Sequence, residues 1–171
     1  MRTIAARFVT RAFRRPATTD ELTRWTNIGV QAATAYDDFD KGVEFLLAGL
    51  LQSPAFLYLD ETGETDPANP ERRRLNSWEL ASRLSFFLTN APPDDALRAA
   101  AESGELQTEA GVRTQAARLL QKAEARNAMT ALFDEILELN GLDHLAKDSV
   151  KYPGFDAVTL GRSMKEETRR S

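Results

Sequence analysis

The stretch that decides the fold is Leu75-Asn-Ser-Trp-Glu-Leu-Ala-Ser-Arg-Leu-Ser-Phe-Phe-Leu88, in which Asn76 precedes Glu79 by three positions. Asparagine followed by glutamate at this spacing is typical of the first turn of a helix. The leucines and aromatic residues that follow recur at helical spacing. Thr18 and Glu21 repeat the pattern earlier in the chain. Both segments therefore predict amphipathic helices.

Along the rest of the chain, apolar stretches that begin with a helix-capping residue alternate with short polar segments. The first predicted helix runs from Thr3 to about Arg14, and Asp37 or Asp38 caps a later one. No clear strand-like alternation lies between turn signals. We therefore predict an all-α fold with about eight amphipathic helices in two packed helical subdomains. The side chains predicted to face the core include Leu84, Phe87, Leu88, Leu119, Leu120, Met129, Leu132, Phe133, Ile136 and Leu137.

A change of composition divides the chain. Residues 1–59 are predicted to form an N-terminal helical subdomain and residues 75–171 a C-terminal one. Residues 60–74 are predicted to be an exposed, charged linker, because residues 60–70 carry four acids and two prolines but no large apolar side chain. The last helix ends on a polar turn without a C-cap. This ending predicts that the C-terminal subdomain is truncated and that the chain is a fragment of a longer protein.

Composition excludes several classes of protein. The net charge of -4 over 171 residues argues against nucleic-acid binding, which needs a surplus of Lys and Arg. The absence of cysteine excludes disulfides, zinc–thiolate sites and covalent haem attachment within the chain. No apolar stretch approaches the roughly 18 residues of a membrane span. The N-terminus also lacks the apolar region of a signal peptide.

Motifs of the commoner enzymes are missing from the sequence. There is no Gly-x-Ser-x-Gly, no Gly-x-Gly-x-x-Gly and no Walker-type lysine, and His144 is the sole histidine. A single histidine excludes a site built on two histidines of one helical face. We therefore predict no catalytic residues and no cofactor for this chain.

The remaining polar candidates surround the histidine. They are Glu135, Glu138, Asp143, His144 and Asp148. Such side chains can form an oxygen-rich metal site or an acid/base pair. Alternatively, His144 can ligate a non-covalent haem with Met129 or Met164 opposite. The interpretation that we favour is a solvated surface loop, since a functional histidine normally needs partners that this sequence does not supply.

Trp78 is the aromatic residue most suited to a binding role. Most aromatic residues lie on apolar stripes, where core packing is the expected role. Trp78 instead lies in the first turn of its helix, beside the charged segment, where an indole can stay partly exposed. A cluster of Trp78 with Tyr58 would fasten the two predicted halves together.

Two sets of motifs resemble known families. Arg11-Ala-Phe-Arg-Arg-Pro16 and the segment from Leu46 to Tyr58 resemble a planctomycete-type domain of unknown function, family fifteen-ninety-five. The second set resembles its usual neighbour, family fifteen-ninety-two. It comprises Leu75 to Leu88, Pro93-Asp-Asp-Ala-Leu97, Gly104-Glu-Leu106 and Met164-Lys-Glu-Glu-Thr168. The order of the two halves matches as well.

The resemblance implies a setting and no catalytic residues. Such domains occur side by side in large bacterial extracytoplasmic proteins that often carry haem c domains. It implies a periplasmic or extracellular location and flanking domains of a larger parent protein as partners, with haem c domains among the candidates. The first hypothesis is thus a non-catalytic helical scaffold or interaction module of a redox-associated protein. The alternative hypothesis is that the chain is part of an enzyme that acts on an extracellular polymer such as a polysaccharide.

Overall fold

The computed structural model describes residues 1–148 and 150–170, and it confirms the all-α prediction apart from one small hairpin. Within these residues, nine helices and two strands follow one another. They are α1 (Arg2–Phe13), α2 (Thr19–Tyr36), α3 (Phe39–Leu51), α4 (Pro54–Leu57), β1 (Glu64–Asp66), β2 (Asn69–Arg74), α5 (Ser77–Thr89), α6 (Asp95–Glu102), α7 (Glu109–Leu120), α8 (Ala123–Ile136) and α9 (Ala157–Arg170). Short 3₁₀ turns at Glu105–Gln107 and Leu139–His144 complete the order.

The chain divides into two compact units. Residues 1–86 and 92–115 form the first unit. Residues 87–91, together with residues from 116 onward, form the second. The first unit thus includes α1 to α4, the hairpin, most of α5, and α6. Among the described residues, no helix has the length and the apolar character needed to cross a membrane.

The core of the first unit lies where α1, α2 and α3 meet. Residues four apart on α1 point inward, so that Ala5, Val9 and Phe13 are buried. The Phe13 ring meets Trp25 of α2 edge-to-face, with ring centroids 6.2 Å apart. Leu46 and Leu50 of α3 complete the cluster. The amphipathic spacing in the sequence therefore decides which face of each helix is buried here.

Helix α5 buries an unexpected face. Its buried side chains are small and mostly polar: Ala81, Ser82, Ser85 and Thr89. Phe87, which the apolar stripe predicts to be inside, is 82% exposed, so that prediction is wrong. The face of α5 that is buried therefore consists of small residues, and the apolar stripe does not identify it.

The predicted caps form as hydrogen-bonded motifs. The Thr18 hydroxyl accepts the backbone N–H of Glu21 at 3.2 Å, and the Glu21 carboxylate accepts the Thr18 N–H at 2.9 Å. Asn76 and Glu79 repeat this exchange at the start of α5, at 3.0 and 2.8 Å. Asp38 caps α3 by accepting the Asp40 N–H. Each motif satisfies backbone donors that a helix leaves unpaired at its N-terminus.

The segment predicted as an irregular linker contains a hairpin. Strands β1 and β2 pair antiparallel, with an irregularity between Thr65 and Asp66. Every residue of β2 is exposed, whereas Glu61, Gly63 and Asp66 of the same segment are half-buried. Gly63 enters the hairpin with a φ of 65°, and a Cβ there would lie 2.7 Å from the Arg74 carbonyl oxygen. Backbone pairing thus orders a stretch that has no apolar side chains to bury.

The second unit buries little of the apolar surface of α8. Ala125 and Leu139 are buried. The side chains predicted to face the core are instead between 49% and 63% exposed: Met129, Leu132, Phe133, Ile136 and Leu137. Leu120, at the end of α7, is likewise 54% exposed. The prediction of their burial is wrong, because helical spacing identifies an apolar face without supplying a neighbour to cover it.

Candidate functional site

A cleft in the first unit brings together three segments that are far apart in sequence. Its volume is about 180 Å³, and its walls come from the end of α1, the segment after α4 and the first turns of α5. The lining residues are Phe13, Arg14, Arg15, Ala55, Leu59, Asp60, Glu61, Thr62, Asn76, Trp78, Glu79 and Ser82. Trp78 is half-buried in this wall, as predicted from its position.

Arg14 lines one side of the cleft. It ends α1 in the left-handed conformation, with a φ of 58°. Its guanidinium donates hydrogen bonds to the carbonyl oxygens of Ala55 and Tyr58 at 2.9 and 2.8 Å, and it lies 6.0 Å from the centre of the Phe86 ring. Burial lowers the pKa of this guanidinium. Arg14 therefore has a structural role, because it binds carbonyl groups that the short helix α4 leaves unpaired.

Two carboxylates of the cleft are already engaged. The Glu79 carboxylate accepts the backbone N–H groups of Asn76 and Gly63, at 2.8 and 2.9 Å. Glu61 forms an ion pair with Arg83. Asp60 differs from both, since its side chain has no hydrogen bond or close ion pair among the described residues and interacts with Arg15 only through charge. Its carboxylate is therefore the least constrained of the three in the lining.

Arg15 and Glu21 form a bidentate ion pair beside the cleft, with N–O distances of 2.7 and 2.9 Å. The hydrogen bonds from Arg15, helped by those from Thr18, lower the pKa of Glu21 from 4.5 to about 2. Because the folded pKa lies below the unfolded one, the stabilisation is complete above the unfolded value. It is lost as the pH falls through about 2.

We expect Glu21→Gln to lower the free energy of unfolding at pH 7 by about 1 kcal/mol. The expected loss is modest because solvent screens this partly exposed ion pair. The difference between wild type and variant should shrink as the pH falls from about 5 towards 2, as urea denaturation at each pH would show. Glu44→Gln is the matched control, since it removes an exposed pair with Lys41. It should cost less than Glu21→Gln does, because solvent screens this exposed pair more strongly. A Glu21→Gln difference that is independent of pH would contradict this account.

A second feature is an apolar groove in the second unit. Its volume is about 480 Å³, and its walls come from α8, the turn after it and α9. Met129, Phe133 and Leu137 recur every four residues and form one side. Leu139, Arg126, Thr130 and Thr168 complete the lining. The groove is therefore a row of apolar side chains with a cation at one edge.

The polar residues singled out around the histidine are exposed where the structure describes them. His144 ends a 3₁₀ turn and is exposed, and Glu138 is exposed with a φ of 52°. Asp148 accepts the backbone N–H groups of Val150 and Lys151, which makes it a turn residue. The side chain of Asp143 lies outside what the structure describes. Among the residues that were placed, no three His, Asp or Glu side chains are arranged to hold a metal ion.

The sequence singles out Trp78, which lies in the wall of the cleft, for a binding role, but it does not single out the other lining residues or the groove. Tyr58, the suggested partner of Trp78, is 69% exposed, and no ring contact joins the two described side chains. Asp60 carries no local signal, because the cleft exists only once distant segments meet. The groove residues did carry a signal, since their spacing marks an apolar face. The spacing predicts that they lie in the core, whereas the structure shows that Met129, Phe133 and Leu137 are at least half exposed.

Two family models match the chain, one in each of the two halves predicted from the sequence. The model described as PSD4, protein of unknown function (DUF1592), matches residues 75–171, which is more than half of the chain. The chain belongs to this family. A second model, PSD5, protein of unknown function (DUF1595), matches residues 1–61. The predicted tandem order of the two families is thus confirmed, while no curated protein and no solved structure matches the chain.

The cleft and the groove fall in different parts of the two family matches. The cleft takes residues from both, because Phe13 and Asp60 lie in the DUF1595 match and Trp78 lies in the DUF1592 match. The groove lies wholly within the DUF1592 match. Neither family description gives a biochemical role.

Proposed function

We propose that this chain is a non-catalytic helical interaction module that binds an amphipathic helix of a partner along α8. The observation that carries the proposal is the exposure of the apolar face of α8, where Met129, Phe133 and Leu137 are each at least half exposed. Contiguous apolar surface of this kind is typical of interaction sites in soluble proteins, since leaving it in water is unfavourable.

The shape of the groove favours a helix as its occupant. Apolar side chains four residues apart form a straight ridge, and an amphipathic helix packs its own ridge beside such a row. A large aromatic side chain at the centre, here Phe133, is typical of the residue that contributes most binding energy. The partner therefore presents apolar side chains at helical spacing.

The charge of the groove restricts the partner further. Arg126 lines the groove and forms no ion pair with any residue that the structure describes. An arginine at the rim of an apolar groove attracts a carboxylate on the partner, which adds specificity and speeds association. We propose an amphipathic helix with an acidic side chain at the edge of its apolar face.

The setting of the module is a second part of the proposal. Family resemblance supports a location outside the cytoplasm, in a larger redox-associated protein with haem c domains. Fractionation of cells that express the native gene tests the location. Recovery of the protein in the cytoplasmic fraction would contradict it.

Binding of a synthetic helix tests the module directly. The probe is a fluorescein-labelled peptide of about five helical turns with leucines along one face and a glutamate at the edge of that face. Fluorescence anisotropy should show saturable binding with a Kd in the range of about 1–100 μM. A second peptide, with lysine in place of that glutamate, should bind at least about fivefold more weakly because it faces Arg126.

Paired variants on α8 show whether the groove is responsible. Phe133→Glu places a charge in the groove and should weaken binding at least about tenfold. Ala131→Glu adds the same charge to an exposed position of α8 outside the groove, and it should leave the Kd unchanged. Equal binding by the two peptides would exclude the proposed partner. A stable homodimer that Phe133→Glu dissociates would replace it with a second copy of the chain.

A further inference from the structure

The cleft of the first unit contains polar groups that the fold leaves available. Among the described residues, nothing accepts a hydrogen bond from the Asn76 side-chain amide or from the Trp78 indole N–H. The Ser82 hydroxyl and the Asp60 carboxylate likewise have no hydrogen-bond partner among them, although the charge of Asp60 interacts with that of Arg15. Donors and acceptors therefore line the same small space, together with aromatic surface from Phe13 and Trp78.

The charges around the cleft nearly balance. Arg14 and Arg15 supply two positive charges to its walls, while Asp60, Glu61 and Glu79 supply three negative ones. The neighbouring Glu21 and Arg83 add one charge of each sign through their ion pairs. Such a balance favours neither a phosphate, which needs a surplus of cations, nor a strongly cationic ligand. It favours a neutral ligand that both donates and accepts hydrogen bonds.

We propose that this cleft binds a single ring of a neutral sugar. Its volume of about 180 Å³ equals that of roughly six water molecules, which suits one monosaccharide unit. The C–H groups on one face of a sugar ring pack against the negative face of an indole, here that of Trp78. The hydroxyl groups donate to Asp60 and accept from Asn76 and Ser82.

The cleft binds the sugar without hydrolysing it. Glycoside hydrolysis normally requires two carboxyl groups, one as acid and one as nucleophile or base. Glu79 is held by two backbone N–H groups and Glu61 by Arg83. Asp60 is the one carboxylate of the described lining that has no hydrogen bond, and its charge interacts with Arg15. This binding site is independent of the α8 groove, so the failure of either proposal leaves the other standing.

Nuclear magnetic resonance of the full chain tests the site. Its two tryptophans, Trp25 and Trp78, give two indole N–H signals, and Trp25 is only 6% exposed. Titration with D-glucose, D-galactose and D-mannose should shift the Trp78 signal saturably for at least one sugar, with a Kd of about 0.1–10 mM. The Trp25 signal should stay in place. Glucosamine and glucuronate serve as charged counterparts and should bind more weakly.

A pair of variants links binding to the cleft. Asp60→Asn keeps the shape of an exposed side chain and should weaken binding about tenfold or more. Glu71→Gln makes the same change of charge on the exposed strand β2 and should leave the Kd unchanged. Three results would overturn the proposal: no saturable shift with any neutral sugar, tighter binding of a charged counterpart, or an Asp60→Asn protein that binds as tightly as wild type.

Discussion

Leu46→Ala should lower the free energy of unfolding by about 3 kcal/mol, the largest effect that we expect from a single truncation. The Leu46 side chain is fully buried among α1, α2 and α3. Truncation removes apolar surface from the core and leaves a cavity that neighbouring helices fill incompletely. Urea denaturation followed by circular dichroism measures the loss.

A second leucine of the same helix provides the control. Leu51 lies at the end of α3 and is 53% exposed. Leu51→Ala makes the same chemical change with the same helix propensity, and it should cost less than about 1 kcal/mol. Equal losses at the two positions would show that burial at Leu46 does not stabilise the fold as the structure implies.

Gly42→Ala should also destabilise the first unit, by about 2 kcal/mol. A Cβ at Gly42 would lie 2.5 Å from the carbonyl oxygen of Gly29 in α2 and 2.7 Å from the Cβ of Ala33. Alanine favours a helix over glycine by up to about 1 kcal/mol, but this gain is smaller than the cost of pushing α2 and α3 apart. Denaturation in urea again gives the difference.

Gly154→Ala is the control for this substitution. A Cβ at Gly154 meets no atom within 4 Å, and its backbone is not in the left-handed region. We expect its effect to stay within about 0.5 kcal/mol. If Gly42→Ala were neutral or stabilising, the close approach of α2 and α3 described here would be wrong.

The helices and their starting points could be predicted from sequence because the signals are local. Thr18 with Glu21, and Asn76 with Glu79, satisfy backbone donors within one turn, so three or four residues contain all the information. The family resemblance was predicted on similarly local motifs and is confirmed. Asp38 at the start of α3 follows the same rule.

The exposure of particular side chains could not be predicted in this way. Phe133 and Leu46 occupy similar apolar stripes, yet one is half exposed and the other is fully buried. The difference depends on which other segments reach each helix. Phe87 shows the same limit, because α5 buries its small residues in place of this aromatic ring.

Sequence by itself determined that this chain is helical, where most of its helices begin and which two family models match it in tandem, since hydrogen bonds and apolar periodicity act over a few residues. Tertiary structure alone decided where the cleft and the groove lie. The cleft requires Phe13, Asp60 and Trp78 to come together from distant parts of the chain. The groove on α8 requires that Phe133 is left half exposed by the packing of the second unit. Both follow from packing between elements, which no local pattern encodes.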